Sequence, residues 1–456
     1  MAPIIDSARM TADDANIIAG AEKVRFFDRP VAGARGSEYT TPEGGRLIDL
    51  SATWTAAGLG YSDPRIARAV QATLLNCPGL GVGSVINPQA IELGRRLLSI
   101  TDSTGYDDGQ DNRRVYFGHS GSDANDIALR LCRKASMMRG GGRRVIAFEH
   151  SYHGGFGQAL GLSGVQVEGG AEPDDCVSFM PYPDPGHPHG DFDEHGELAY
   201  CLSAVERELG KGDAACVIVE PILSDGGMIV PPDGFLTGLR GLCDRFGVPL
   251  VCDEVKVGLG RPGTLHAYQY EGIHPDVVTF GKTLGCGLPI SAIVGPKWIM
   301  DCAPGCSLLT MGGNPACCAA ALEFLRILTD GDLPAKAAAK GSAAVREIRR
   351  MVAEAGPAAA DHVMDVRGRG LAMAIELTDA GDDPRGSERF AEKVCHRANE
   401  LGVVVYYVGG HVLEITPALT IDDAIFREAL ERVVKAIEDV HDGKVDDDEV
   451  KGYGGW

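Results

Sequence analysis

Short apolar runs alternate with amphipathic helical patterns through the middle of the chain, and this alternation restricts the possible folds more than any other feature. Each run has four or five residues and ends at an acidic residue or just before a glycine, as short strands buried on both faces do. The pattern predicts an α/β domain with a mainly parallel central sheet and helices on both faces, whose ligand site lies at the carboxyl ends of the strands. The runs are Val145–Glu149, Cys216–Glu220, Pro249–Asp253, Val277–Phe280 and Ile290–Val294.

The predicted organisation has four parts. Residues 1–60 form an N-terminal segment that contributes to a small domain, and residues 61–330 form the large domain. From about Leu333 the chain becomes rich in Ala, Arg and Glu, which predicts a smaller α+β domain over residues 331–445. Residues 446–456 are acidic and Gly-rich, and we predict that they form a solvated, mobile tail.

The composition indicates which partners to expect. The 456 residues include 43 basic and 64 acidic side chains, so the formal net charge at pH 7 is −21. This charge repels phosphate backbones and anionic lipid headgroups, so we expect no nucleic-acid or membrane partner and favour a cationic substrate. No signal-peptide pattern or long apolar stretch occurs, and the 13 cysteines form no C-x-x-C pair. We therefore expect a cytoplasmic protein with reduced thiols.

Three sequence segments carry the residue types that pyridoxal phosphate requires. One apolar run ends at Asp253, and the next is followed by Lys282, 29 residues further on. Gly121 lies between Ser120 and Ser122 at the start of a helical pattern. A lysine holds this cofactor as a Schiff base, a carboxylate on its ring nitrogen keeps the ring an electron sink, and a helix N-terminus binds phosphate. Each residue alone also fits a structural role, as a cap or a solvated lysine, but their joint occurrence favours the cofactor.

Several further motifs make the chain resemble a known family. Over roughly residues 25–435 it resembles the class III, or omega-type, pyridoxal-phosphate aminotransferases of fold type I. The resemblance implies that fold, a homodimer with shared active sites, and an amine donor and a carbonyl acceptor as substrates. The motifs are Gly58–Pro64, Ser120–Asn125, Tyr152–Gly154, Val219–Ile222, Asp253–Val255, Phe280–Lys282 and Gly312–Pro315.

The resemblance also implies roles for individual residues. Lys282 forms the Schiff base and moves the proton of the substrate carbon, and Asp253 pairs with the ring nitrogen. Tyr152 and Val255 enclose the two faces of the ring, and Thr310 reaches the phosphate in the neighbouring subunit. The full cofactor-binding set is Ser120, Gly121, Ser122, Tyr152, His153, Glu220, Asp253, Val255, Lys256, Lys282 and Thr310.

Lys256 is a departure from the family pattern. Most members have Gln at this position, where it contacts the phenolic oxygen of the cofactor. A lysine beside that oxygen would favour the phenolate and shift the pKa of the Schiff base. The alternative is that the Lys256 side chain turns outward to solvent.

Glu414 is the second departure. Most members carry an Arg there that clamps a substrate carboxylate, which a glutamate cannot do. Together with the net charge, Glu414 predicts a cationic substrate, and an amino sugar of the aminoglycoside-antibiotic type fits that description. Trp54 is the other predicted substrate residue. Without the arginine, a donor carboxylate would need another cation, and Arg261, Lys256 and Arg367 are the candidates. The alternative interpretation is that Glu414 pairs with a local base.

The predicted reaction is transamination, with one alternative that uses the same cofactor. An epimerase, aminomutase or dehydroxylation enzyme begins with the same proton abstraction and differs only in the later steps. The motifs around the cofactor do not separate these outcomes.

A histidine-rich segment also invites a metal-site interpretation. His187, His189, Asp191 and His195 lie within nine residues of one another. They belong to a Pro/Gly loop, whereas metal ligands are normally oriented by regular structure and by a second layer of hydrogen bonds. We therefore predict a surface or access loop and no metal.

Overall fold

The structure is a computed structural model that describes residues 6–77, 79–103, 106–107, 110–302, 304–379 and 384–454. The chain divides into two compact units. Unit 1 comprises Met1–Asp63 and Ala337–Trp456, and unit 2 comprises Pro64–Lys336. Among the described residues, no helix is both long enough and apolar enough to cross a membrane.

The helices are α1 Ser7–Ile17, α2 Pro64–Asn76, α3 Pro88–Ile100, α4 Gly121–Met138, α5 Gly157–Leu160, α6 Gly164–Glu168, α7 Glu194–Leu209, α8 Phe235–Phe246, α9 Lys297–Met300, α10 Pro315–Asp330, α11 Leu333–Ala355, α12 Pro357–Ala360, α13 Pro384–Glu400 and α14 Asp423–His441. The strands are β1 Gly33–Arg35, β2 Glu38–Thr40, β3 Arg46–Asp49, β4 Tyr106–Asp107, β5 Gln110–Asp111, β6 Arg113–Gly118, β7 Arg144–Phe148, β8 Val177–Met180, β9 Ala214–Val219, β10 Leu250–Asp253, β11 Val277–Phe280, β12 Ser291–Pro296, β13 Val363–Arg369, β14 Ala372–Leu377, β15 Val403–Val404, β16 Tyr406–Val408 and β17 Val412–Ile415.

Unit 2 is built on a seven-stranded sheet in the order β6-β12-β11-β10-β9-β7-β8. The five strands from β8 to β11 are parallel, which confirms the predicted α/β class. The strand near Ile290–Val294 runs antiparallel to both its neighbours. Only ten residues join β11 to β12, and they contain no helix that could form the crossover that a parallel pair requires.

Helices cover both faces of this sheet. Side chains of α4 pack in one cluster with Ala147 and Ile218 of the sheet. Phe148, whose side chain points to the opposite face, packs edge-on against Phe235 of α8, with ring centroids 5.6 Å apart. All four of these side chains are buried. The sheet is therefore apolar on both faces, as its nearly continuous apolar runs predict.

Unit 1 is assembled from both ends of the chain. One sheet has the order β1-β2-β3-β15, in which Val403 of β15 pairs in parallel with Ile48 of β3. A second, antiparallel sheet has the order β13-β14-β17-β16. The unit thus has the mixed α and β character that the C-terminal sequence predicts.

The acidic tail is more ordered than its composition predicts. Val450 is buried, and Asp447 forms an ion pair with Lys393 of α13 at 2.7 Å. The backbone N–H of Gly454 donates to the carbonyl of Arg25 at 2.9 Å. Residues 446–454 therefore pack onto unit 1 through one apolar side chain and these polar contacts.

Candidate active site

The two residues that define the predicted cofactor site lie at the carboxyl ends of adjacent strands. Parallel strands β10 and β11 pair Asp253 with Thr279. Lys282 follows three residues after Thr279, at the start of the short helical turn Lys282–Gly285. The sheet therefore brings the acid and the lysine to the same edge, where ligands of open α/β sheets bind.

The Asp253 carboxylate is buried and accepts hydrogen bonds from several donors. Its Oδ2 accepts from Asn125 Nδ2 at 2.7 Å and from His153 Nδ1 at 2.8 Å. Its Oδ1 accepts from the backbone N–H of Val255 at 3.0 Å. These hydrogen bonds fix the position of the Asp253 side chain at the end of β10.

Asn125 links this carboxylate to two other parts of the site. Its Nδ2 also donates to the carbonyl of His153 at 2.8 Å, and its Oδ1 accepts from the Thr279 hydroxyl at 2.7 Å. Asn125 therefore ties α4 to the ends of β10 and β11 and to the loop after β7. It was not among the predicted site residues, although it closes the Ser120–Asn125 motif.

The N-terminus of α4 has the geometry of a phosphate site. The Ser120 hydroxyl accepts from the Asp123 N–H at 3.2 Å, and Asp123 accepts in return from the N–H of Ser120. The N–H groups of the first helical residues have no carbonyl acceptor within the helix and are directed out of its end. Gly121 leaves room for this end to approach its neighbours, because a Cβ there would lie 2.4 Å from Val255 Cγ1. Ser122, at the second helical position, is half-buried.

Lys282 has an unusual backbone conformation. Its φ is +41°, in the left-handed region that residues with a Cβ rarely occupy. Such a conformation costs about 1–3 kcal/mol and persists only where the surroundings impose it, which is typical of functional sites. Gly281 before it also packs tightly, since a Cβ there would lie 3.1 Å from the backbone of Gly121.

Tyr152 and Glu220 are joined at the ends of β7 and β9. The backbone N–H of Tyr152 donates to Glu220 Oε1 at 2.8 Å, and the Ser224 hydroxyl donates to Oε2 at 2.5 Å. Burial raises the pKa of Glu220 to about 7, and the nearby carboxylates Asp253 and Asp225 add to this effect. Burial also raises the pKa of Tyr152 to about 12. Glu220 therefore fixes the backbone from which the Tyr152 ring projects.

Lys256 lies inside the protein. Its Nζ donates to Asp225 Oδ1 at 2.8 Å, and both side chains are only 4% exposed. The interpretation that Lys256 turns outward to solvent is therefore wrong. Asp225 was not predicted, because the contact joins residues 31 positions apart on two different loops.

Thr310 lies in an exposed turn of unit 2, at the edge of a groove of about 690 Å³. The groove is lined largely by apolar side chains, among them Val82, Ile86 and Leu308. Ile86 is 90% exposed and Leu308 is 73% exposed. An exposed apolar surface of this kind is typical of a protein contact.

The two predicted substrate residues belong to unit 1. Trp54 lies in a turn where Ala52 to Thr55 all have positive φ, and its ring centroid is 4.8 Å from that of Tyr406. Glu414 is buried on β17 directly opposite Tyr406, and its Oε1 accepts from the Thr416 hydroxyl at 3.2 Å.

Arg367 and Arg261 are the other two residues considered as partners for the carboxylate of an amino donor. Arg367 of unit 1 pairs with Glu376 and with Asp365, so its charge is already compensated. Arg261 of unit 2 is buried.

The four residues of the histidine-rich segment do not come together as a set of metal ligands in the described part of the chain. His189 Nδ1 contacts Glu197 Oε1 at 2.6 Å, and the Cys201 thiol donates to the same oxygen at 3.6 Å. His187, Asp191 and His195 are exposed on the loop and at the start of α7. Within the described residues, the potential metal-ligand atoms of His189, Glu197 and Cys201 lie within 4.8 Å of one another.

Comparison with known proteins identifies the family. The family profile described as "Aminotransferase class-III" matches residues 19–437. The chain belongs to the class III aminotransferases. It is 32% identical over 411 residues to an acetylornithine aminotransferase of Corynebacterium efficiens, covering 89% of this chain and 92% of the relative. It is 30% identical over 449 residues to a leucine/methionine racemase of Thermococcus litoralis, covering 96% and 97%.

Solved structures agree with this assignment. An ornithine aminotransferase of Toxoplasma gondii, whose structure is described as having partial occupancy of PLP at the active site, superposes with a TM-score of 0.81. The two are 25% identical, and the match covers 96% of each chain. The fold is therefore that of the fold type I enzymes, and the chain is a pyridoxal-phosphate-dependent enzyme.

The residues present fit this cofactor. A fixed carboxylate and a half-buried lysine lie at adjacent strand ends, and the N-terminus of α4 beside them supplies donors for a phosphate. Gly121 and Gly281 allow these segments to pack closely, because a Cβ on Gly121 would clash with Val255 and one on Gly281 would crowd the backbone of Gly121. This set of donors and charges matches the three chemical functions of the cofactor.

We predict that Asn125→Ala weakens the binding of pyridoxal phosphate by about 10- to 100-fold, because hydrogen bonds to a charged group contribute about 1.5–3 kcal/mol. Cofactor retained after dialysis, read by absorbance, measures the effect. Asn76→Ala is the control, since its side chain is exposed and donates only to the Ala72 carbonyl. Equal retention in the two variants would contradict the role given to Asn125.

Proposed function

We propose that the protein transfers an amino group between a primary amine and a carbonyl compound, with Lys282 and Asp253 as its central residues. The observation that carries the proposal is the placement of these two residues on adjacent parallel strand ends, with the Asp253 carboxylate held by three donors. The family assignment supports the same chemistry.

Each residue has a distinct task in this proposal. When bound, pyridoxal phosphate supplies an electron sink that stabilises negative charge at the substrate carbon. Lys282 would hold the cofactor covalently, and its Nζ would take the proton from the substrate carbon. Asp253 keeps a proton on the ring nitrogen, and Ser120, Gly121 and Ser122 orient the phosphate.

The remaining predicted residues shape the surroundings of the ring. Tyr152 and Val255 enclose it from opposite faces. Glu220 and His153 act through neighbouring residues. Glu220 fixes the Tyr152 backbone, and His153 donates to Asp253. Together these side chains exclude water from the reacting carbon.

We expect Lys282→Ala to bind the cofactor without a covalent link and to lose turnover by about 1,000-fold or more, since the proton-transferring base is gone. A visible spectrum and a transamination assay measure the two effects. Lys297→Ala removes an exposed lysine of the same unit and provides the control. Wild-type turnover in the Lys282 variant would refute the proposal.

Racemisation or epimerisation of an amine-bearing carbon is the second candidate function. Its support is the leucine/methionine racemase, which matches this chain over almost its full length. Both reactions need the same base at Lys282, and they differ in whether the proton returns to the substrate carbon or the amine is exchanged.

Isotope exchange separates these two functions. For an aminotransferase, incubation with a substrate amine in deuterated water and without a carbonyl acceptor should stop after one turnover per site, leaving aminated cofactor. A racemase should instead continue, and deuterium and the inverted configuration should accumulate in the amine. Mass spectrometry and chiral chromatography give the two readouts, and sustained inversion would favour the second function.

The substrate proposal is a cationic amine of the amino-sugar type. It is supported by Glu414, which replaces the family's carboxylate-binding arginine, and by the net charge of −21. The names of the relatives favour amino acids instead, so the amines offered in these assays should include both classes.

We also propose that the enzyme is a homodimer. The exposed apolar groove of unit 2 supports this proposal, as does the position of Thr310 at its edge. A second copy of the chain covering the groove would shield Ile86 and Leu308 from water and bring Thr310 towards the partner's cofactor phosphate.

Ile86→Asp should convert the dimer into a monomer and weaken cofactor binding, because a charge cannot be buried in an apolar contact without a partner. Light scattering coupled to size-exclusion chromatography measures the mass. Met138→Asp, at an exposed methionine of the same unit outside the groove, should stay dimeric. A monomeric wild-type enzyme would contradict the proposal.

A further inference from the structure

Lys256 and Asp225 form a buried ion pair at the edge of the sheet where the site lies. Asp225 follows β9 and Lys256 follows β10, and these strands are adjacent and parallel. The two charged groups are 2.8 Å apart and 4% exposed. A buried ion pair of this kind is costly to desolvate and is weak evidence for stability, so its position calls for a functional explanation.

The loop that carries Asp225 is held in place on both sides. Leu223 and Ile229 exchange two backbone hydrogen bonds, at 2.9 and 2.8 Å. Between them, the N–H and hydroxyl of Ser224 both donate to Glu220 Oε2. The Asp225 carboxylate therefore has a defined position from which it fixes the Lys256 ammonium group.

The pair acts on the residue predicted to stack on the cofactor. Burial is the main cause that raises the pKa of the Tyr152 phenol, Asp225 raises it further, and Lys256 lowers it. Asp225 also acts on Glu220, to which Tyr152 is bonded. The charges of Asp225 and Lys256 therefore both act on Tyr152, and they shift its pKa in opposite directions.

We propose that Lys256 and Asp225 are a pair of positioning residues in which each charge offsets the effect of the other on the ionisation of the cofactor bound at Lys282. The proposal rests on the proposed function. Its physical basis is that a cation near a protonated Schiff base favours loss of the proton, whereas an anion favours its retention. With both charges present, the two effects oppose each other.

The variants of the test substitute only Lys256 and Asp225 and leave the other titratable residues near the pair in place. These groups, which interact electrostatically with one another beside the pair, are Tyr152, His153, Glu220 and Asp253. Lys282 is also kept, because its bond to the cofactor gives the signal.

The test is a pH titration of the visible absorption band of the holoenzyme. D225N removes the Asp225 charge and keeps that of Lys256, so it should lower the pKa of the spectral transition by about one unit. K256Q removes the Lys256 charge and keeps that of Asp225, so it should raise this pKa by a similar amount. The double variant K256Q/D225N should return close to wild type, and the charge-conserving variants K256R and D225E should restore the wild-type transition.

The matched control is a second partly buried ion pair of unit 2, Arg133 with Asp174, whose nitrogen and oxygen are 2.6 Å apart. D174N should lose thermal stability without moving the spectral transition. Shifts of K256Q and D225N in the same direction, or no larger than that of D174N, would overturn the proposal. Loss of folding in both single variants would assign the pair to the fold alone and would also overturn it.

Failure of the proposed function gives a different result. A wild-type protein that shows no visible band after incubation with pyridoxal phosphate would remove the cofactor site itself. A normal wild-type band with unshifted variants would remove only the role of the pair.

Discussion

The buried Asp253 carboxylate is the interaction on which the candidate site depends. Burying a carboxylate costs several kcal/mol unless hydrogen-bond donors surround it, so each donor to Asp253 supports the site. Those donors come from α4, from the loop after β7 and from the backbone beyond β10. One acidic side chain therefore makes three separate segments of unit 2 mutually dependent. It also explains why polar residues follow strands that are otherwise apolar on both faces.

The sequence predicts five strands of the central sheet of unit 2, β7 and β9 to β12, because strands buried on both faces are short and apolar. It misses the edge strands β6 and β8, which are only partly buried. The direction of a strand within the sheet cannot be predicted from its own sequence, because an apolar run is compatible with either orientation. The antiparallel direction of β12 follows from the short connection before it. The same distinction applies to the site, where Asp253 and Lys282 end recognisable strands. Asn125 and Asp225 act through partners on other segments, which no local pattern reveals.

The shared fold does not by itself determine which reaction the enzyme catalyses. Relatives at similar identity include an aminotransferase and a racemase, so the shared fold leaves the outcome to be decided by details of the site. Lys256 and Glu414 are two positions at which this chain departs from the usual pattern, and both are buried. Buried substitutions change the environment of a reaction more than exposed ones, because the surrounding dielectric screens them less.

The parallel pairing of β3 with β15 has a consequence for how the protein is made. Ile48 and Val403 are neighbours in one sheet, yet the whole of unit 2 separates them along the chain. At synthesis rates of about 5–20 residues per second, the N-terminal strand waits on the order of tens of seconds for its partner. During that time unit 2, which is continuous in sequence, is free to fold first. The edge of β3 that pairs with β15 therefore stays uncovered until Val403 has been synthesised.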